Sequence, residues 1–176
     1  MTCSAIPNLR AVAVAAAVLA LAGCGTGGAV APSSVSAADL SNPLLSPEHS
    51  QWLVGPIAEL ATPEEKAEFL GLRDDAAAAA FVEAFWERRK PYPLRPDNPL
   101  RETFEARAAE ADRLYSEAGY LGRRTARGTI HVLYGPPPTI DYQLSPHPDD
   151  PPVTVWQYPA GSAAGLDGEV PERLYR

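Results

Sequence analysis

The sequence predicts an α+β domain in which N-terminal helices pack on a small antiparallel sheet. Helix-start signals and apolar residues at helical spacing recur between residues 46 and 119. After residue 122, β-branched and aromatic residues separated by proline-rich turns dominate instead. The chain has 176 residues, of which 45% are hydrophobic, so it is long enough for one folded domain with a tail.

Two short helices are expected first. Ser46, followed by proline and glutamate, predicts a helix start, and the Gly-Pro pair at residues 55–56 ends that helix. Thr62 and Glu65 have the spacing of a capping box, in which each side chain bonds the other's backbone amide. The second helix is therefore expected from Thr62 to about Leu72.

Two longer helices follow, separated by an extended loop. The third is expected from residue 74 or 75 to Lys90, with alanines that favour helix and aromatic rings on one face. Three prolines then exclude helix over residues 90–97. An Asn-Pro pair at residues 98–99 begins the fourth helix, whose apolar stripe steps by three or four residues until Gly119 ends it.

Three strands are expected after the helices. Residues 129–134 are rich in β-branched and aromatic side chains between glycines, which predicts the first strand. Residues 139–144 and 153–158 predict two more, joined by a Pro/Asp loop over residues 145–152. The predicted domain covers residues 46–160, and residues 161–176 form an irregular C-terminal segment with a short strand near its end.

The N-terminus has the layout of an exported protein. Arg10 precedes an apolar stretch over residues 11–23, as in a secretory signal peptide covering residues 1–23. The sequence Leu-Ala-Gly-Cys at residues 21–24 resembles the lipobox of bacterial lipoproteins. That resemblance implies that Cys24 carries a diacylglyceryl group and, after cleavage, an acyl chain such as palmitate on its α-amine. Two or more acyl chains anchor a protein stably, so the expected partner is a membrane.

The anchor would hold the domain in the cell envelope. Residues 24–45 are mostly small and polar and are interpreted as a flexible tether. Gly25 rather than aspartate follows the cysteine, which in a host with two membranes resembles a signal for the periplasmic face of the outer membrane. Cys3 lies in the signal, so the folded part is expected to have no disulfide.

The order of motifs in the folded part resembles the GWxTD domain family. The resemblance rests on the Thr-Pro-Glu-Glu run at residues 62–65, the Phe-Trp-Glu-Arg-Arg run at residues 85–89 and Arg-Gly-Thr-Ile-His-Val-Leu-Tyr-Gly-Pro-Pro at residues 127–137. It implies an exported α+β domain and no defined activity. The chain departs from the naming motif, because Gly-Arg-Arg-Thr-Ala stands at residues 122–126 and Lys90 replaces a usual aspartate.

Charge is distributed unevenly along the chain, whose formal net charge is −7. The stretch from residue 88 to residue 127 contains 10 basic and 6 acidic residues, whereas the flanking segments are acidic. An acidic protein does not suit nucleic acid as its main partner. Within the basic stretch, one interpretation is that Arg88, Arg89 and Arg127 form a guanidinium cluster that meets an anionic partner or buried carboxylates. In the favoured interpretation, Arg89 and Arg127 instead tie the third helix to the first strand. Tyr92, in the proline loop, is a candidate interface anchor.

No catalytic, metal or cofactor motif is evident in the sequence. The three histidines do not converge in any recognisable pattern, and His147 with Asp149 and Asp150 is better interpreted as an exposed acidic turn. The expected function is therefore a non-enzymatic binding or scaffolding role with an envelope protein as partner. Two alternatives remain open: an envelope hydrolase using carboxylates among Glu83, Glu87 and Asp97, and a degenerate domain that serves only as a spacer.

Overall fold

A computed structural model describes residues 36–144 and 152–176 and confirms the α+β fold. The signal peptide, Cys24 and most of the tether lie outside the described residues, as does the loop that contains His147. The helices and strands are α1 Pro56–Leu60, α2 Pro63–Leu70, α3 Asp75–Arg88, α4 Pro99–Tyr115, α5 Ala126–Tyr134, β1 Thr139–Gln143, β2 Val153–Gln157 and β3 Leu174–Tyr175. Within the described ranges, no helix is both long and apolar enough to cross a membrane.

The segment before α1 is folded, but not as the predicted helix. Consecutive turns occupy residues 47–55, and the helix starts only at Pro56. The prediction at Ser46 was wrong because its hydroxyl donates to Asp75 at the start of α3, 2.8 Å away, instead of capping its own helix. Asn42 and Leu45 are buried, so the folded part begins before the predicted end of the tether at residue 45.

The caps of the three longer N-terminal helices are as predicted. Glu65 donates its amide to the Thr62 hydroxyl and accepts from the Thr62 amide, which completes the capping box of α2. Asp74 caps α3, and Asn98 caps α4. All three helices end two or more residues before their predicted C-termini.

An aromatic cluster forms the centre of the helical layer. Trp52, Phe69, Phe81 and Phe85 pack with ring centroids 4.9–5.8 Å apart, mostly edge to face. Trp86 links this group to Phe104 of α4. Rings in these arrangements add about 0.5–1.5 kcal/mol per pair to the burial of their area, so the cluster stabilises the contact of α3 with its neighbours.

Residues 129–134 are helical, which corrects the prediction of a first strand. They lie in α5, which Thr125 caps by accepting from the Gly128 amide. The β-branched content favours strand, but tertiary packing decides the outcome. A Cβ on Gly128 would stand 1.8 Å from the carbonyl oxygen of Gly122, so only glycine lets α5 approach the short 3₁₀ turn Gly122–Arg124. The buried residues of α5 are Gly128, His131, Val132 and Leu133, and the first three share one helical face.

The sheet has the order β1-β2-β3 and is antiparallel throughout. The other two predicted strands are confirmed, each one residue shorter than expected, and β3 is the short terminal strand. Ile140 of β1 and Tyr175 of β3 both lie opposite Trp156 in the central strand. Tyr115 of α4 packs on Trp156 at a centroid distance of 5.5 Å, which places the helices on this face of the sheet.

Candidate functional site

The three predicted arginines do not form one cluster. Arg88 and Arg89 lie at the C-terminal end of α3 and contact α2, whereas Arg127 lies in the first turn of α5 and contacts the C-terminal end of α4. The hypothesis of a joint guanidinium site is therefore wrong. The predicted tie between the third helix and a first strand is also wrong, because residues 129–134 form helix α5.

Arg89 joins three helices through the cap of α2. Its guanidinium donates to both Glu65 oxygens, at 2.9 Å and 2.5 Å, and to the carbonyl of Leu60 at 2.7 Å. It also lies 3.6 Å from the ring centroid of Phe85, a cation–π distance. Arg88 adds a bond of 3.0 Å to the same carboxylate. These contacts give both arginines a structural role.

The same contacts keep Glu65 ionised. Hydrogen bonds from Arg89 above all, and from the Thr62 amide and Arg88, together lower the pKa of Glu65 from 4.5 to about 2 against the opposing effect of burial. The Glu65 side chain is only 13% exposed. One carboxylate thus completes the capping box of α2 and pairs with two guanidinium groups at the C-terminal end of α3.

Arg127 borders a groove between α5 and the sheet, here named the α5–sheet groove. Its cavity volume is about 320 Å³. Its lining includes Arg127, Ile130, Thr154, Trp156, Tyr175 and Arg176. Arg127 donates to Glu117 at 3.1 Å, and its guanidinium lies 5.8 Å from the Tyr115 ring. Because its side chain remains about half exposed, Arg127 is accessible from the groove.

The groove combines an apolar wall with basic groups. Ile130 forms one side, and Trp156 with Tyr175 forms the sheet side. Arg127 and Arg176 add two basic residues to the lining, and Arg176 makes no ion pair with any residue in the part of the chain that the structure describes. Such a lining suits a ligand with an apolar or aromatic body and an anionic end, since guanidinium groups bind carboxylate or phosphate in two-point geometry.

Tyr92 is exposed, as its placement in the proline loop predicts, but it does not line the groove. Its side chain is 55% exposed and stacks near Arg95, whose guanidinium lies 5.5 Å from the ring centroid. The structure thus leaves Tyr92 available for contact without joining it to Arg127.

The carboxylates of the hydrolase hypothesis meet in a second depression of about 260 Å³, and each has a basic partner. Glu83 pairs with Arg101 at 2.9 Å, Glu87 with Lys90 at 3.1 Å and Asp97 with Arg95 at 3.0 Å. The hydrogen bond from Arg101 lowers the pKa of Glu83. A general acid needs a raised pKa, so this arrangement does not favour the proposed chemistry.

The described histidines each have one carboxylate partner. His49 Nδ1 lies 2.9 Å from Asp75, and the buried His131 Nε2 lies 3.0 Å from Glu110. In residues 36–144 and 152–176, no three histidine, cysteine or acidic side chains converge as metal ligands would. The loop of His147, Asp149 and Asp150 lies outside the described residues.

Two functional or structural features were missed in the sequence. Arg176 and Trp156 join Arg127 only because α5 packs beside the sheet, a contact that the prediction of a strand at residues 129–134 concealed. Arg107 was also missed: it donates to the carbonyls of Val132 and Leu133 at 3.1 Å and 3.0 Å and so caps the C-terminal end of α5. Its burial lowers its pKa. No sequence signal identifies this cap unless α5 is already known to be helical.

No protein-family model, curated protein or solved structure matches this chain. The resemblance to the GWxTD family therefore stays a prediction. The residues that replace its naming motif nevertheless have defined contacts. Arg123 pairs with Asp112 at 2.6 Å, Arg124 donates to Gln51, and Thr125 caps α5.

Proposed function

We propose that this chain is a membrane-anchored envelope lipoprotein whose domain binds a partner through the α5–sheet groove. Cys24 would carry the lipid, and the domain would act by binding rather than by catalysis. The partner would present an anionic group attached to an apolar or aromatic body. The observation that carries the binding part is the pairing of Arg127 and Arg176 with the apolar wall of Ile130 and Trp156.

The anchor is supported by the sequence. An apolar segment of the length of a signal peptide, preceded by Arg10, ends directly at Leu-Ala-Gly-Cys over residues 21–24. About a dozen residues separate Cys24 from residue 36, where the described part of the chain begins. At about 3.3–3.6 Å per residue, a fully extended linker of this length spans up to roughly 40 Å, enough to separate the domain from the headgroups.

Lipidation is tested by exchanging one thiol in the full chain. Cys24→Ser is expected to abolish incorporation of labelled palmitate and to leave an unprocessed precursor, because the lipid is attached to that sulfur. Cys3→Ser is the matched control and should mature normally. Palmitate incorporation that persists in Cys24→Ser would contradict the anchor.

Groove binding is tested by photo-crosslinking in the native envelope. A benzoylphenylalanine at Ile130 is expected to yield a defined adduct, while the same probe at Ala79, an exposed position on α3, should not. Adding Arg127→Glu should abolish the adduct, because the carboxylate repels an anionic group. Arg73→Glu, which makes the same charge change at an exposed site outside the groove, should leave the adduct intact.

The outcome also separates binding from the spacer alternative. A spacer needs the fold and the anchor but no groove ligand. Identical adduct patterns from Ile130 and Ala79, or an adduct insensitive to Arg127→Glu, would reject groove binding and favour the spacer.

A further inference from the structure

Strand β1 is the outer strand of the sheet, and it carries an exposed apolar stripe. Among the described residues, β1 pairs only with β2, so its other edge has unpaired backbone groups. Ile140 and Tyr142 of β1, and Leu144 one residue beyond its end, alternate in the sequence and are 44%, 76% and 89% exposed. Large apolar side chains grouped on an open edge mark an interaction surface more often than isolated ones do.

The stripe lies on the face of the sheet that the helices cover elsewhere. Ile140 is directly opposite Trp156, and Tyr142 is directly opposite Thr154. Residues opposite each other in an antiparallel pair point to the same face. Trp156 is covered by Tyr115, whereas the β1 side chains extend beyond the helical layer. The sheet therefore ends in an apolar strip that its own helices leave uncovered.

Strand β1 lacks most of the features that prevent an edge strand from pairing with another chain. Its sequence, Thr-Ile-Asp-Tyr-Gln, contains no lysine and no proline, and it is regular over all five residues. The one charge belongs to Asp141, whose carboxylate accepts a hydrogen bond from Gln157 of the neighbouring strand. An unprotected edge of this kind favours addition of another strand.

We propose that β1 pairs antiparallel with β1 of a second copy of this chain, in a register centred on Tyr142. Ile140 then lies opposite Leu144 of the second copy, and the two Tyr142 rings meet at the two-fold axis. On the other face, Asp141 lies opposite Gln143 of the second copy, so a carboxylate faces an amide donor. The two sheets join into one continuous six-stranded sheet.

Both neighbouring symmetric registers are less favourable. The register centred on Asp141 places the two Asp141 carboxylates opposite each other and Leu144 opposite Pro138. The register centred on Gln143 leaves Ile140 and Asp141 opposite residues outside β1. The register centred on Tyr142 matches apolar with apolar and acid with amide from Ile140 to Leu144. This self-complementarity is what identifies a second copy, rather than an unrelated strand, as the occupant.

The first test uses cysteines as reporters in the full chain. The natural cysteines are Cys3 and Cys24, so the Cys3→Ser/Cys24→Ser background is free of thiols. Tyr142→Cys in this background is expected to form a disulfide-linked dimer under mild oxidation, because opposite Cβ atoms are about 4.5–5.5 Å apart across antiparallel strands. Asp141→Cys should not link, and Tyr92→Cys, at an aromatic of similar exposure, measures random collision.

The second test compares two double variants that differ only in the charge at residue 144. Both also carry Tyr142→Cys, which reports the pairing. Ile140→Lys/Leu144→Lys places lysines opposite each other in both cross-strand pairs, so the linked dimer should fall to the level of Tyr92→Cys. Ile140→Lys/Leu144→Glu removes the same apolar groups but places opposite charges across both pairs, so linking should be retained. Far-ultraviolet circular dichroism checks that both variants are folded.

These tests overturn the proposal in three ways. The first is linking of Tyr142→Cys no stronger than that of Tyr92→Cys. The second is equally strong linking of Asp141→Cys, and the third is an equal loss of linking in the two double variants. Because neither Cys24 nor Arg127 takes part, failure here leaves the proposed function untouched, and failure of the groove experiment leaves this pairing untouched.

Discussion

Replacing Glu65 by glutamine should destabilise the domain by about 2–3 kcal/mol. Glutamine at this position can still complete the capping box, so the change removes the charge and leaves the helix start intact. What is lost is the ionic contact with Arg89, whose side chain is only 18% exposed and would be left without its carboxylate.

The magnitude follows from the pKa of Glu65. A shift of one pKa unit corresponds to about 1.4 kcal/mol. Lowering this pKa from 4.5 to about 2 therefore stabilises the folded state by about 3 kcal/mol when Glu65 is ionised. Arg88 contributes little of it, because its side chain is 49% exposed and solvent screens its charge.

Urea unfolding followed by tryptophan fluorescence measures the difference, since Trp52 packs on α3 and Trp86 is part of it. The pKa of Glu65 is lower in the folded state, so its stabilisation is fully present above pH 4.5 and is lost as the pH falls towards 2. The difference between wild type and Glu65→Gln should therefore shrink across that window.

Glu87→Gln is the matched control. It makes the same chemical change at a carboxylate that is 67% exposed and pairs with Lys90, so we expect a loss below about 0.5 kcal/mol. A loss of this small size for Glu65→Gln, or a loss that does not vary between pH 5 and pH 2.5, would refute the structural role of the Glu65 contacts.

Two further substitutions test the packing. Gly122→Ala should destabilise the domain by more than about 3 kcal/mol or prevent folding, because its Cβ would stand 1.9 Å from the carbonyl oxygen of Ala111. Gly71→Ala is the control: its Cβ would stand 3.4 Å from the nearest atom, so it should be nearly neutral in the same urea assay. Asn42→Ala should lower the free energy of unfolding by about 2–4 kcal/mol, because its buried amide donates to three carbonyls at the end of α2. Ser41→Ala removes one local hydrogen bond at the surface and should lower it by less than about 0.5 kcal/mol. Equal midpoints for either pair would contradict the packing described.

The candidate site was only partly accessible to sequence reasoning. The basic excess between residues 88 and 127 correctly pointed to arginines with defined contacts. It could not show which of them share a partner, because that depends on where α2, α4 and α5 lie in space. Arg89 is held by a glutamate 24 residues earlier in the chain, and Arg127 meets Arg176 only across the groove.

Local chemistry explains which elements were predictable. The Thr62–Glu65 capping box, the Asn-Pro start of α4 and the alternation in β2 act within a few residues, so the sequence alone determined them. The α+β class followed from their order. Residues 129–134 were decided by tertiary structure, since the glycine contacts of α5 with the Gly122 turn outweigh the strand preference of threonine, isoleucine and valine. The groove, the ion pairs of Glu65 and the open edge of β1 likewise exist only because distant segments pack together. Such contacts are not encoded in any short window of the sequence.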